Sequence, residues 1–138
     1  MSVKPGLYPI IHRASEGLEV DHTDGIGSKG FYHWQKRSFE AAVIDAMAMN
    51  LNDLALMQAS PYKIQNHIIL PEDDHDAILQ IVEALSLMCQ DYQIAMTGGE
   101  TSIQNTLSGM DLRVTMTGTI AVEQPNQMRP GDILIGLP

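Results

Sequence analysis

Residues 38–57 read SFEAAVIDAMAMNLNDLALM, and this stretch sets the fold. Ser38 is a good helix N-cap, and Ala41, Ile44, Ala48, Leu51 and Ala55 recur at spacings of three and four. The spacing predicts a helix from Ser38 to about Met57 with that stripe turned to a core. Pro61 ends the segment. A strand follows, in which Tyr62, Ile64, Asn66, Ile68 and Leu70 alternate with Lys63, Gln65, His67 and Ile69. Pro71 then opens a second predicted helix, with Glu72, Asp73, Asp74 and Asp76 in its first turn, where carboxylates suit the positive end of the dipole. Ile78, Ile81, Val82, Leu85, Met88 and Cys89 form its expected buried stripe.

Upstream, to about Gly17, the chain is punctuated by Gly and Pro without a clear period. A short strand from Leu18 through Val20 runs into a glycine-rich loop reaching Gly30. Downstream, a short strand around Ile94–Met96 leads to Thr97-Gly98-Gly99-Glu100-Thr101. A longer strand spans Leu112 to Val122. One of its faces carries Leu112, Val114, Met116, Gly118, Ile120 and Val122, and the other is Thr-rich, with Arg113, Thr115, Thr117, Thr119 and Ala121. Pro130-Gly131 makes a turn before a last predicted strand, Asp132 to Leu137. The order implies an α+β (mixed α/β) domain, a mixed sheet with both helices on one face.

The 138 residues suffice for one domain with a real core. Eight Lys and Arg against 17 Asp and Glu give a net charge of −9, which argues against a nucleic-acid surface or a polybasic membrane patch. No apolar run approaches the ~20 residues of a membrane span. Cys89 is the only cysteine, which excludes an internal disulfide or a Cys-rich zinc site, and a reduced, cytoplasmic setting is expected. It is read as a core residue rather than a nucleophile.

The chemistry concentrates on the first helix. It is apolar nearly all round yet carries Asp45, Asn52 and Asp53, which at about 100° per residue share roughly a 100° sector. No Lys or Arg lies between Arg37 and Lys63. A buried carboxylate without a partner is costly. Either the sector faces water or meets a distant cation such as Arg113, or it holds a divalent cation, for which magnesium with its preference for hard oxygens is suited.

Asp24-Gly25-Ile26-Gly27-Ser28-Lys29-Gly30 suits the second option, since glycines let backbone N–H groups approach phosphate and a lysine adds charge. It is neither a Walker A loop nor a dinucleotide fingerprint, and a plain turn is the alternative. Gly98-Gly99-Glu100-Thr101 repeats the arrangement of glycine and carboxylate at another expected strand end. The five histidines, His12, His22, His33, His67 and His75, lack metal-ligand spacing and are expected to be structural or exposed; only His22, beside Asp24, falls near the candidate site.

Taken together, these segments resemble the phosphoribosylformylglycinamidine cyclo-ligase (aminoimidazole ribonucleotide synthetase) superfamily, N-terminal domain. Thr23–Lys29 resembles its TDGVGTK segment, Ala48–Leu54 its AMxVNDL helix, Ala59-Ser60-Pro61 its GAEP turn, Gly98–Thr101 its GGET and Gly131–Leu137 its GDVLIGL. The likeness runs from about Val20 to Pro138. Departures are Ser102-Ile103-Gln104-Asn105 where the cyclo-ligase has AEMPG, Gln58 where it has glycine, and a nearly absent glycine-rich lead-in.

The resemblance implies a segment 1–19, a domain 20–138, and a C-terminal domain that this chain lacks, joined in cis or in trans. It further implies a homodimer in which the sheets of two copies close a barrel, which would account for the Thr-rich face. ATP and Mg²⁺ are the implied cofactors. Asp24, Asp53 and Glu100 are the implied metal ligands, and Asp24 and Lys29 the implied catalytic pair, with Lys29 on phosphate. Gly25, Gly27, Asp45, Asn52, Gly99 and Thr101 complete the implied nucleotide site. The implied reaction is ATP-dependent ring closure of a small-molecule substrate in purine biosynthesis: the formyl-amide oxygen is phosphorylated, then the amidine nitrogen attacks and phosphate leaves. The alternatives are another ATP-dependent member (formylglycinamidine ribonucleotide synthetase, thiamine-monophosphate kinase, selenophosphate synthetase or hydrogenase maturation type) or a non-catalytic dimerisation or nucleotide-binding module.

Overall fold

The alternating segments assemble into one four-stranded sheet, and the helices that connect them pack against one of its faces. The computed structural model describes residues Val3–Lys4, Ile11–His12, 17–122 and 127–136. In chain order the elements are β1 (Val3–Lys4), β2 (Ile11–His12), β3 (Leu18–Gly25), α1 (Lys29–Lys36), α2 (Phe39–Leu56), β4 (Ser60–Leu70), α3 (His75–Asp91), β5 (Ala95–Ile103) and β6 (Asp111–Ile120). Strands β1 and β2 form a separate antiparallel pair, and the main sheet runs β3-β6-β4-β5. β6 is antiparallel to both neighbours, whereas β4 and β5 are parallel and joined by α3.

β6 explains why the helices sit on one face. Leu112, Val114 and Met116 are all fully buried in the core with α2 and α3, and each such side chain contributes about 1.5–3 kcal/mol. Arg113, Thr115 and Thr119 turn the other way, to the face no helix covers, and Thr117 there donates to Asp21 of β3. The mixed sheet with helices on one face is as predicted.

Several boundaries differ from expectation. β3 continues past Val20 to Gly25, because every residue from Leu18 to Gly25 has a partner on β6. α1 begins inside the predicted loop, at Lys29, and was not expected; it is short, and Phe31 and Tyr32 stand with Lys29, Gln35 and Lys36 on its exposed side. Gly30 of α1 lies against Gly109 and Met110: a Cβ at Gly30 would stand 1.9 Å from the Met110 carbonyl oxygen, and one at Gly109 2.5 Å from the Phe31 Cα.

The α2 boundaries match, but the stripe is rotated. Phe39, Ala42, Val43, Ala46, Met47, Asn50 and Leu54 are buried, while Ala41 and Ala55 are exposed and Ile44 is 49% exposed. In a helix apolar nearly all round, neither hydropathy nor size picks the face: Ala42 and Ala46 are fully buried while Ile44 and Leu56 stay exposed. Ser38 caps no α2 amide with its side chain.

Pro71 does not open α3. Residues 71–74 form a turn, and Asp74 is the N-cap, its carboxylate accepting the Ala77 N–H at 2.9 Å. Only Asp76 of the four carboxylates lies in the first turn. Val82 is exposed, whereas Ile81, Leu85 and Cys89 are buried as expected. The Gly98-Gly99-Glu100-Thr101 segment lies inside β5 rather than after it. Among the described residues 132–136, the predicted last strand is absent, and Ile133, Leu134 and Ile135 are exposed with no sheet partner; Leu137 is outside the described residues.

Candidate functional site

The end of β3, the turn after it and one side of α2 bring most of the predicted site residues together. At the turn, Gly27 has φ +56°, and the N–H groups of Lys29, Gly30 and Phe31 are bonded back to Ile26, Gly27 and Ser28 carbonyls. The N–H groups of Gly27 and Ser28 are left without a partner among the described residues. Asp24 accepts the Gly25 N–H at 2.7 Å, which aims its carboxylate along the turn.

The two aspartates of α2 find partners from outside their helix. Asp45 Oδ2 lies 3.0 Å from His33 Nε2 and 3.2 Å from Lys29 Nζ. The His33 hydrogen bond, and after it Lys29, hold the Asp45 carboxyl below its ordinary value despite partial desolvation. His33 Nδ1 is 2.9 Å from Ser38 Oγ, so Ser38 orients this histidine instead of capping α2. Asp53 lies 2.9 Å from His22 Nε2, and the other ring nitrogen of His22 is 3.0 Å from Asn50 Oδ1. Asn50 is fully buried and donates to the Ala46 carbonyl, which fixes its amide so that Oδ1 faces the ring.

His22 was expected near the site, whereas the parts of His33 and Asn50 were not. Alternation along β3 carried a usable signal: His22 and Asp24 share a strand face. Arg113 is not the distant cation; its Nε bonds Asp111 at 2.7 Å. Asn52 is on the exposed edge of the Asp45–Asp53 sector and makes no bond among the described residues.

Glu100 is placed elsewhere. β3 and β5 are opposite edges of the sheet, roughly 14 Å apart at three strand spacings. Glu100 lies on the uncovered face, whereas His22 and Asp53 meet on the helix side. Among the described residues, no three His, Cys, Asp or Glu side chains converge as metal ligands. Glu100, with Thr23, Gln65, His67, Arg113 and Thr115, lines a cavity of about 570 Å³ on the open face, with Gly99 at its wall. Thr101 turns to the helix side beside Val82.

This arrangement of a mixed sheet, a glycine turn at the end of its edge strand and a following helix rich in small residues defines a domain class. Residues 10–120 match the family described as AIR synthase related protein, N-terminal domain, and the chain belongs to that family. It is 32% identical over 118 residues to a phosphoribosylformylglycinamidine cyclo-ligase of Saccharolobus solfataricus, covering 84% of this chain and 36% of that protein. Its match to the same-named protein of Pyrococcus horikoshii is 31% over 119 residues, covering 83% and 36%. The chain thus spans about a third of the length of these enzymes. In fold it is similar to a thiamine-monophosphate kinase from Stenotrophomonas maltophilia (TM-score 0.70, 24% identity, 86% of this chain and 37% of that one). A second likeness is to the hydrogenase maturation protein HypE in complex with ATP (TM-score 0.60, 19% identity, 80% and 33%). No described helix is long and apolar enough to cross a membrane.

Proposed function

We propose that this chain is the ATP-binding N-terminal domain, residues 20–138, of a cytoplasmic cyclo-ligase-like enzyme, with the nucleotide phosphates at the β3–α1 turn. The observation that supports the reading is the turn itself: two backbone N–H groups, at Gly27 and Ser28, have no partner among the described residues, Lys29 follows them directly, and Asp24 precedes them on the strand whose His22 meets Asp53. Backbone donors and an ammonium bind phosphate oxygens without selecting a base.

The donor set at this turn fits magnesium, which takes one or two carboxylates and completes its shell with phosphate oxygens and water. Asp24 and Asp53 would hold it, and Glu100 belongs to a separate group. Bound there, magnesium would offset phosphate charge. Asp53 would give up His22 to take the ion, and Lys29 would exchange its exposed contact with Asp45 for a phosphate oxygen. The second domain, and a second copy pairing through the Thr-rich face, would complete the cleft in which the acceptor is positioned.

Calorimetry with Mg-ATP tests the site. Wild type is expected to bind, and Asp53→Ala to lose about tenfold or more in affinity; equal binding by the two, or none by either, removes the proposal. The acceptor is tested in the full-length enzyme: ring closure of formylglycinamidine ribonucleotide supports the cyclo-ligase reading, and turnover only of another acceptor replaces it.

A further inference from the structure

We propose that the outer groove between α2 and α3 docks a cationic amphipathic helix of another polypeptide. The groove encloses about 680 Å³, with Ile44, Ala84, Leu87 and Met88 on its floor and Tyr92 at one end. Ile44, Leu87 and Tyr92 are about half exposed. Apolar side chains spaced along two packed helices form the kind of trough that accepts a third helix through anchors at i, i+3, i+4 and i+7.

The charge at the rim selects the occupant. Glu40, Glu83 and Asp91 line the groove, and none of them makes an ion pair among the described residues. Neither α2 nor α3 contains a Lys or Arg. Four acids elsewhere are matched, Asp45 by Lys29 and His33, Asp53 by His22, Asp74 by Arg37 and Asp111 by Arg113, and what sets the groove apart is three unmatched acids around one apolar floor. A second copy meeting this face about a two-fold axis would set carboxylate against carboxylate, and an anionic bilayer would be repelled. A helix with Leu-type anchors flanked by Lys or Arg satisfies floor and rim together. This surface lies apart from the β3–α1 turn, so the proposal stands independently of nucleotide binding.

The test is an amide NMR titration of the chain with two amphipathic peptides of about 18 residues, one built of Leu and Lys and the other of Leu and Glu in the same pattern. The Leu/Lys peptide is expected to shift the amides of Ile44, Leu87 and Tyr92, to bind more weakly as salt rises, and to lose about tenfold in affinity on the double change Glu83→Lys, Asp91→Lys. The Leu/Glu peptide is expected to shift nothing. Equal binding of both peptides, shifts elsewhere, unchanged affinity in the double variant, or no binding overturns the proposal. So does a dimer in sedimentation that Leu87→Ser dissolves, which would name a second copy as the occupant. Should the reversed variant misfold by circular dichroism, Glu83→Gln with Asp91→Asn carries the same comparison.

Discussion

Two segments of this chain place a carboxylate beside two glycines, and the structure uses them in opposite ways. Asp24-Gly25-Ile26-Gly27 leaves the sheet: Gly27 takes φ +56° and the chain turns into α1. Gly98-Gly99-Glu100 stays in the sheet, with neither glycine at positive φ. There the missing side chain makes room rather than a turn, since a Cβ at Gly99 would meet the Asn66 side chain at 2.6 Å. A glycine pair can therefore mark either a special dihedral or a close neighbour, and only the neighbour's identity tells which.

Substitutions sharpen the contrast. The largest effect is expected for Gly30→Ala, beside the first segment. The new methyl would meet the Met110 carbonyl, a backbone atom that cannot swing away. The change should cost about 3 kcal/mol or more, against a gain of only ~1 kcal/mol in helix propensity. Denaturant titration checks it, and an unchanged midpoint would mean that α1 moves freely over Gly109.

Gly27→Ala should cost about 1–2 kcal/mol, the penalty of left-handed backbone, and Gly27→Asn should recover part of it. Equal losses from the two would show that space rather than dihedral governs this turn. Gly99→Ala comes next, at below about 1 kcal/mol, because the Asn66 side chain it meets can rotate. A loss as large as that of Gly30→Ala would place rigid backbone there instead.

Smallest is the acid limb of Asp45. Its folded carboxyl is held below its ordinary value by His33 and then Lys29, so its contribution is present above about pH 4 and fades as pH falls through the folded value. Asp45→Asn should be slightly less stable than wild type at neutral pH and should converge on it as pH falls below the ordinary carboxylate range. Parallel curves for the two proteins would assign the α1–α2 contact to packing alone.

The same contrast explains what was legible in the sequence. Strands β4 and β6 and helices α2 and α3 could be read because alternation and helical spacing report burial on one side. The rotated stripe of α2 could not, because Ala41, Ile44 and Ala48 are as apolar as Ala42, Val43 and Met47, so spacing along the helix does not distinguish the two faces. The aspartates of α2 stood out as acids on an apolar helix, but their partners lie on β3 and α1, where spacing along α2 carries no information. Glu100 resembled Asp24 in its glycine setting, yet register put it on the other edge and face of the sheet.

The pairing of β3 with β6 has a kinetic consequence. Asp21 and Thr117 meet across 96 residues of chain, and β3 has no other neighbour in the main sheet. Closing so long a loop is slow, and its entropy is lost before any contact compensates. As the chain emerges from a ribosome, β3 and the turn at its end must wait, unpaired, until nearly all of the domain has been made.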